Sequence, residues 1–133
     1  MKALTARVTR GLNLEAKVPV CDNSGAKIIK IFSVNGLKTR KGKVPQAGIG
    51  DIVNASIVKG KPGMKSQVVQ AIIVRQRREY RRLTGERIKF EDNAAVVLKD
   101  DKGNPKGTII KGAIAKEVTE RWPGIAKIAS IVV

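Results

Sequence analysis

Apolar residues run through the first hundred positions in short, mostly alternating segments, and that pattern predicts strands. "AKVPVCD" (16–22) and "AKIIKIFSV" (26–34) flank "DNSG", a strong turn signal. "DIVNASIVKG" (51–60) alternates, with Val53, Ala55 and Ile57 on one face. "QVVQAIIV" (67–74) is apolar on both faces and reads as a central strand. "AAVVLK" (94–99) is a further short strand. Basic, glycine-containing connections separate these runs. Short strands joined by Gly and Pro turns predict a mainly β fold, a small closed or nearly closed β-barrel.

After Lys99 the pattern changes. "DDKGNPKG" is a polar turn segment, and "GAIAKEVTERW" (112–122) spaces Ile114, Val118 and Trp122 by four, which predicts a short amphipathic helix. "PGIAKIASIVV" is expected to form a second short helix and a final strand. The length of 133 residues predicts one domain. Within it, 1–99 would form the barrel with a ribbon at 75–90, and 100–133 a C-terminal loop with short helices.

The stretch "RQRREYRRLTGERIKF" (75–90) interrupts this apolar pattern. Thr84-Gly85 suits a two-residue hairpin turn. That turn would set Arg82 opposite Arg87, Tyr80 opposite Lys89, Arg78 opposite Glu91 and Arg77 opposite Asp92. Both faces of such a ribbon are polar, so neither suits an apolar core. Each arm would reach about 26 Å, against a radius of gyration of about 14 Å for a chain of this length. A projecting ribbon is therefore expected. Seven basic residues (Arg75, Arg77, Arg78, Arg81, Arg82, Arg87 and Lys89) against two acidic ones give it a charge of +5. A solvated hairpin carrying charge for solubility is the plainer reading. Like charges facing one another cost stability, however, and arginine forks match phosphate geometry.

Two further clusters point the same way: Lys38, Arg40, Lys41 and Lys43 in one loop, and Lys59, Lys61 and Lys65 in another. Either alone would pass as a solvated loop. Together with the ribbon they predict a nucleic-acid surface. The whole chain carries 27 Lys and Arg against 11 Asp and Glu, a net charge of +16, which calls for a polyanionic partner. There are only four aromatic residues, and Tyr80 alone lies squarely in a basic segment. Recognition of phosphates and shape in a folded RNA is expected, rather than base stacking.

Catalysis has little to work with. There is no histidine and a single cysteine, Cys21, so neither a Ser-His-Asp triad nor a thiolate zinc site can form. Cys21 reads as a buried thiol. "KGKPGMKS" lacks the glycine that a phosphate loop places before its Lys-Ser pair; Met64 stands there. Glu91 and Asp92 could hold a magnesium ion, but Arg77 and Arg78 as neighbours favour salt bridges. No catalytic residue, metal site or cofactor is expected. The lone cysteine and the absence of a long apolar run lead to the expectation of a cytoplasmic protein with no membrane contact.

"VCDNSGAK" (20–27), "GDIVNAS" (50–56), "QAIIVRQR" (70–77), "YRRLTGERIKFEDNAAVVL" (80–98) and "KGTIIKGAIAKEV" (106–118) occur in order. Together they resemble the universal large-subunit ribosomal protein family numbered fourteen, in its archaeal and eukaryotic branch. The resemblance implies a five-stranded barrel, a projecting ribbon and a small helical C-terminal part. It implies a structural role in the large ribosomal subunit, bound to 23S-type ribosomal RNA near the subunit interface, with bridges to small-subunit RNA. It also implies the large-subunit proteins numbered three and archaeal-type twenty-four as neighbours, and an anti-association factor docking between Gly112 and Pro123. The family often has Asp-Gly where this chain has Thr84-Gly85, and Gly-Pro where it has Gly112-Ala113. The alternative reading is a free-standing, sequence-tolerant nucleic-acid binder or RNA chaperone.

Overall fold

A computed structural model describes residues 3–36 and 41–133. In chain order the strands are β1 (Ala6–Arg7), β2 (Leu12–Asn13), β3 (Lys17–Pro19), β4 (Ala26–Val34), β5 (Gln46–Ala47), β6 (Ile52–Gly60) and β7 (Val68–Arg75). There follow β8 (Tyr80–Arg82), β9 (Arg87–Ile88), β10 (Ala94–Val97), β11 (Ala113–Ile114), helices α1 (Lys116–Arg121) and α2 (Pro123–Ala126), and β12 (Ile131–Val132). The fold is mainly β, as the alternation predicts. β3, β4, β6, β7 and β10 form one antiparallel sheet in the order β10-β7-β6-β4-β3. Its edges meet at one isolated parallel bridge, Val20 with Ala95, where the Cys21 N–H also donates to the Ala95 carbonyl at 3.1 Å. Among the described residues a continuous ladder does not close this sheet into the expected five-stranded barrel.

Two apolar clusters explain why some strands alternate and others do not. Val53, Ala55 and Ile57 of β6 join Val18, Ile29, Ile31, Ala71, Ile73, Ala95 and Val97 in the first. Ile72, Val74, Ala94 and Val96 point the other way, into a second cluster with Ile114, Val118, Trp122 and Ile125. β7 and β10 are therefore covered on both faces, and their sequences read as continuous apolar runs. β7 is an interior strand, although β6 holds the middle position of the five.

The helix expected over 112–122 is shorter. Ala113 and Ile114 instead pair in parallel with Ile131 and Val132. Gly112 precedes this strand with φ +80°, and a Cβ there would stand 2.5 Å from Arg75 Nη1. Ile114, Val118 and Trp122 are all buried in the second cluster: Val118 lies in α1 as expected and Trp122 caps its end, and only Ile114 falls in a strand instead.

The ribbon departs furthest from expectation. Tyr80 faces Ile88, and Arg81 faces Arg87. The Arg82 N–H donates to the Glu86 carbonyl at 2.8 Å, and the Gly85 N–H to the Arg82 carbonyl at 2.9 Å. The connection is thus a three-residue loop with Gly85 at φ +92°, not a two-residue turn. A one-residue change of register exchanges every cross-strand neighbour. Here it aligns Tyr80 with Ile88 and gives the ribbon an apolar side. β1 adds a third strand, with Ala6 opposite Arg82 and Arg7 opposite Arg81. The ribbon does not stand free: Tyr80 and Gln76 are fully buried, and the wholly exposed runs are 77–79 and 83–87.

Candidate nucleic-acid interface

The β1-β8-β9 sheet has two unlike faces because its residues alternate. Ala6, Tyr80, Arg82 and Ile88 share the inner face. Arg7, Arg81 and Arg87 form a direct cross-strand row on the other, and all three are exposed. Like charges directly opposite are destabilising. Glu79 relieves the row only at Arg87, through a 2.9 Å contact whose two side chains are 61% and 49% exposed. Exposed pairs of that kind contribute about 0–1 kcal/mol. A row of guanidiniums with so little internal compensation is suited to an extended line of phosphates.

Two of the expected ribbon arginines are committed inside the protein. Arg82 Nε donates to Glu117 Oε1 at 2.7 Å, and Glu117 is only 2% exposed. Tyr80 donates its hydroxyl to Glu117 Oε2 at 2.8 Å. Arg75 grips Asp92 through Nε at 2.9 Å and Nη2 at 3.2 Å, and its Nη1 donates to the Lys111 and Ala113 carbonyls. The expected pairs Arg77–Asp92 and Arg78–Glu91 are therefore replaced by Arg75–Asp92 and Arg87–Glu79. A one-place shift alone would set Arg77 opposite Glu91; the cause lies in the ladder's length, since Arg75 ends β7 and residues 89–93 belong to no strand, so the regular pairing assumed for those partners does not extend to them.

The remaining positions are distributed over two ends of the main sheet. Arg77, Arg78 and Lys89 are exposed near the ribbon, and Arg78 Nη1 donates to the Arg10 carbonyl at 3.3 Å. Lys41 and Lys43, also exposed, lie on the connection that leaves β4 at the same end. Lys38 and Arg40 lie outside the described residues. Lys59, Lys61 and Lys65 are exposed at the β6–β7 turn, which is the opposite end of β7. An eight-residue strand separates the two ends by about 25 Å. The structure thus gathers the ribbon and the 41–43 loop toward one end and leaves the lysine turn at the other.

Tyr80 is unavailable for base contact, because it is buried against Glu117. Phe32 is the exposed aromatic instead, 48% accessible on β4. Sequence reasoning also missed Arg7, and with it the lysine pair Lys17 opposite Lys30 across β3 and β4. The alternation "TARVTR" (5–10) was the available signal for a strand that brings Arg7 to the ribbon. Among the described residues no three Cys, Asp or Glu side chains gather where they could hold a metal ion. Burial pushes the Cys21 thiol up from 9.0 to about 11, which keeps it protonated and a poor nucleophile at neutral pH.

Comparison with known proteins agrees with this reading of a basic, non-catalytic chain. The chain is 54% identical to the large ribosomal subunit protein uL14 of Nanoarchaeum equitans, over all 133 residues and the whole of both chains. It is 51% identical to the uL14 of Picrophilus torridus and 48% identical to that of Halobacterium salinarum, again over the full length of both. The family profile described as ribosomal protein L14p/L23e matches residues 11–133, and the chain belongs to that family.

Proposed function

We propose that this protein is a structural constituent of the large ribosomal subunit that holds large-subunit ribosomal RNA by its phosphates and shape. Family membership makes it a non-enzymatic component of the cytoplasmic large subunit. The observation that carries the RNA contact is the row Arg7–Arg81–Arg87. Three exposed guanidiniums are set opposite one another across three strands, with one weakly held carboxylate beside them. Arg77, Arg78, Lys89, Lys41 and Lys43 extend this surface at the same end of the sheet, and Lys59, Lys61 and Lys65 form a second contact at the other. Lys38 and Arg40 belong with the first group by sequence.

The position near the subunit interface, the bridges to small-subunit RNA, and the neighbours numbered three and archaeal-type twenty-four rest on the resemblance. So does docking of an anti-association factor between Gly112 and Pro123. In the same reading the five-stranded sheet behaves as a barrel, its edges drawn together at Val20 and Ala95. The test is RNA affinity measured against salt, combined with sedimentation of tagged protein. Binding carried by phosphates falls steeply with salt, and each lost contact lowers the log–log slope by roughly 0.7 to 0.9. Protein that runs with free RNA and never with large subunits would instead support a free-standing RNA chaperone.

A further inference from the structure

A cavity of about 310 Å³ opens beside the arginine surface, between the end of β4, the start of β6 and the end of α1. Its lining is mixed: Val34, Ile52 and Trp122 are apolar, and Arg10, Asp51 and Arg121 are charged. Asp51 stands between two guanidiniums, with Arg10 Nε 3.1 Å from Oδ2 and Arg121 Nη1 3.8 Å from Oδ1. Oδ2 also accepts the Gly48 N–H at 2.9 Å, so that oxygen is well occupied. Oδ1 meets Arg121 only at the longer distance and keeps acceptor capacity, because a carboxylate offers about four lone-pair sites. Arg10 bonds Asp51 through Nε, its side chain is 45% exposed, and it lines the cavity.

We propose that this cavity takes one unstacked nucleotide of the bound RNA. Its base lies against Val34, Ile52 and Trp122, an exocyclic amine donates to Asp51 Oδ1, and its phosphate rests on Arg10. The inference rests on the RNA-binding reading above and adds a base-reading site to it. Three features select a nucleotide. The size is at the lower end of ligand pockets, which are apolar with a few placed polar groups. Single-stranded RNA presents splayed bases whose edges accept just such hydrogen bonds, and carboxylates take amino donors. The mouth adjoins the arginine ribbon, since the Arg78 side chain bonds the Arg10 carbonyl. The chemistry also sets a preference: adenine, cytosine and guanine carry an exocyclic amine and uracil does not.

The sequence has one tryptophan, Trp122, and it lines the cavity, so its emission reports occupancy. The full-length protein is titrated with AMP, CMP, GMP, UMP, the matching nucleosides and inorganic phosphate, and separately with a large-subunit RNA fragment. The amine-bearing monophosphates should shift the emission saturably, with UMP several-fold weaker. Arg10→Ala should weaken the monophosphates roughly tenfold and the nucleosides little, the size expected for one charge-assisted hydrogen bond. Asp51→Asn should remove the discrimination against UMP. Arg10→Lys, which keeps a charge, should retain part of the affinity and guards against a folding artefact in the alanine variant. An emission that moves with neither monophosphates nor RNA overturns the proposal. So does equal binding of CMP and UMP, or a response that inorganic phosphate alone reproduces. Failure here with an intact salt slope at the arginine row would sink the nucleotide site and leave RNA binding standing; loss of the row's effect would sink both.

Discussion

Tyr80 donates its hydroxyl to Glu117 at 2.8 Å across the contact between the arginine ribbon and helix α1. Arg82 completes the group at 2.7 Å from the other carboxylate oxygen, and its Nη2 also donates to the Val133 carbonyl. A carboxylate that is 2% exposed is tolerable only with such partners. Burial, and then the bond to Glu117, raise the Tyr80 phenol well above its ordinary range. The side chains that fasten the ribbon thus come from the segment that looked most solvent-directed in the sequence.

Glu117→Ala should be among the most damaging changes outside the apolar clusters. It strands Arg82 and the Tyr80 hydroxyl, and breaking a buried pair from one side costs about 3–5 kcal/mol. Tyr80→Phe leaves Glu117 its arginine, so about 1–2 kcal/mol is expected. Chemical denaturation of both variants and their double mutant checks this. Equal losses from the two single changes would show that Glu117 does not anchor the group.

Alkaline pH should weaken the fold in a defined window. Cys21 ionises at about 11 in the folded protein against 9.0 when free, because burial disfavours the thiolate. The folded state therefore holds its proton more tightly. The stability this contributes is fully present below pH 9.0 and is lost as pH rises toward about 11. Complete loss amounts to about 3 kcal/mol. Tyr80 is shifted in the same direction and adds to the decline at higher pH. Denaturation midpoints of the natural protein and Cys21→Ala between pH 8 and 11 test the sign, with the variant expected to show the shallower fall.

Much of the fold was legible because burial leaves a periodic trace. Val53, Ala55 and Ile57 alternate since β6 has one face on the core, and 71–74 are unbroken since both faces of β7 are covered. The ribbon was less legible for a physical reason. The sequence "LTG" suits two- and three-residue loops alike, and the choice decides whether Tyr80 meets Lys89 or Ile88. Nothing local in "RREYRR" says that Arg82 will find a carboxylate 35 positions later. At the interface, sequence reasoning found the basic segments as a set. It could not separate the arginines that brace the fold, Arg75 and Arg82, from those left outward, because that division depends on Glu117 and Asp92 in other elements.

Ile73→Asp should abolish cooperative melting. The side chain is wholly buried in the first apolar cluster, and the Ile73 N–H and carbonyl are fixed to Asp51 and Gly50. An isolated carboxylate there costs several kcal/mol, comparable with the whole stability of a chain this size. A melting curve like that of the natural protein would mean that β7 does not lie inside the sheet.

Arg81 and Arg82 are adjacent in sequence and should separate cleanly in experiment. Arg81 lies on the exposed face between Arg7 and Arg87, while Arg82 lies on the other face, paired to Glu117. Arg81→Ala should leave the melting temperature nearly unchanged, or raise it slightly by relieving the like-charge row. It should also lower the slope of log affinity against log salt by roughly 0.7 to 0.9 on large-subunit RNA fragments, with similar losses across single-base variants of the RNA. Arg82→Ala should do the reverse: it leaves Glu117 buried with only the Tyr80 hydroxyl, so stability falls by about 3–5 kcal/mol. Below its lowered melting point the refolded fraction should keep most of its salt slope. The comparison is demanding because the two residues are neighbours of identical type, and any account based on net charge alone expects them to behave alike. If both variants change the salt slope equally and neither changes the melting temperature, the two faces of the ribbon are not distinct, and the assignment of phosphate contact to the Arg7–Arg81–Arg87 row is wrong.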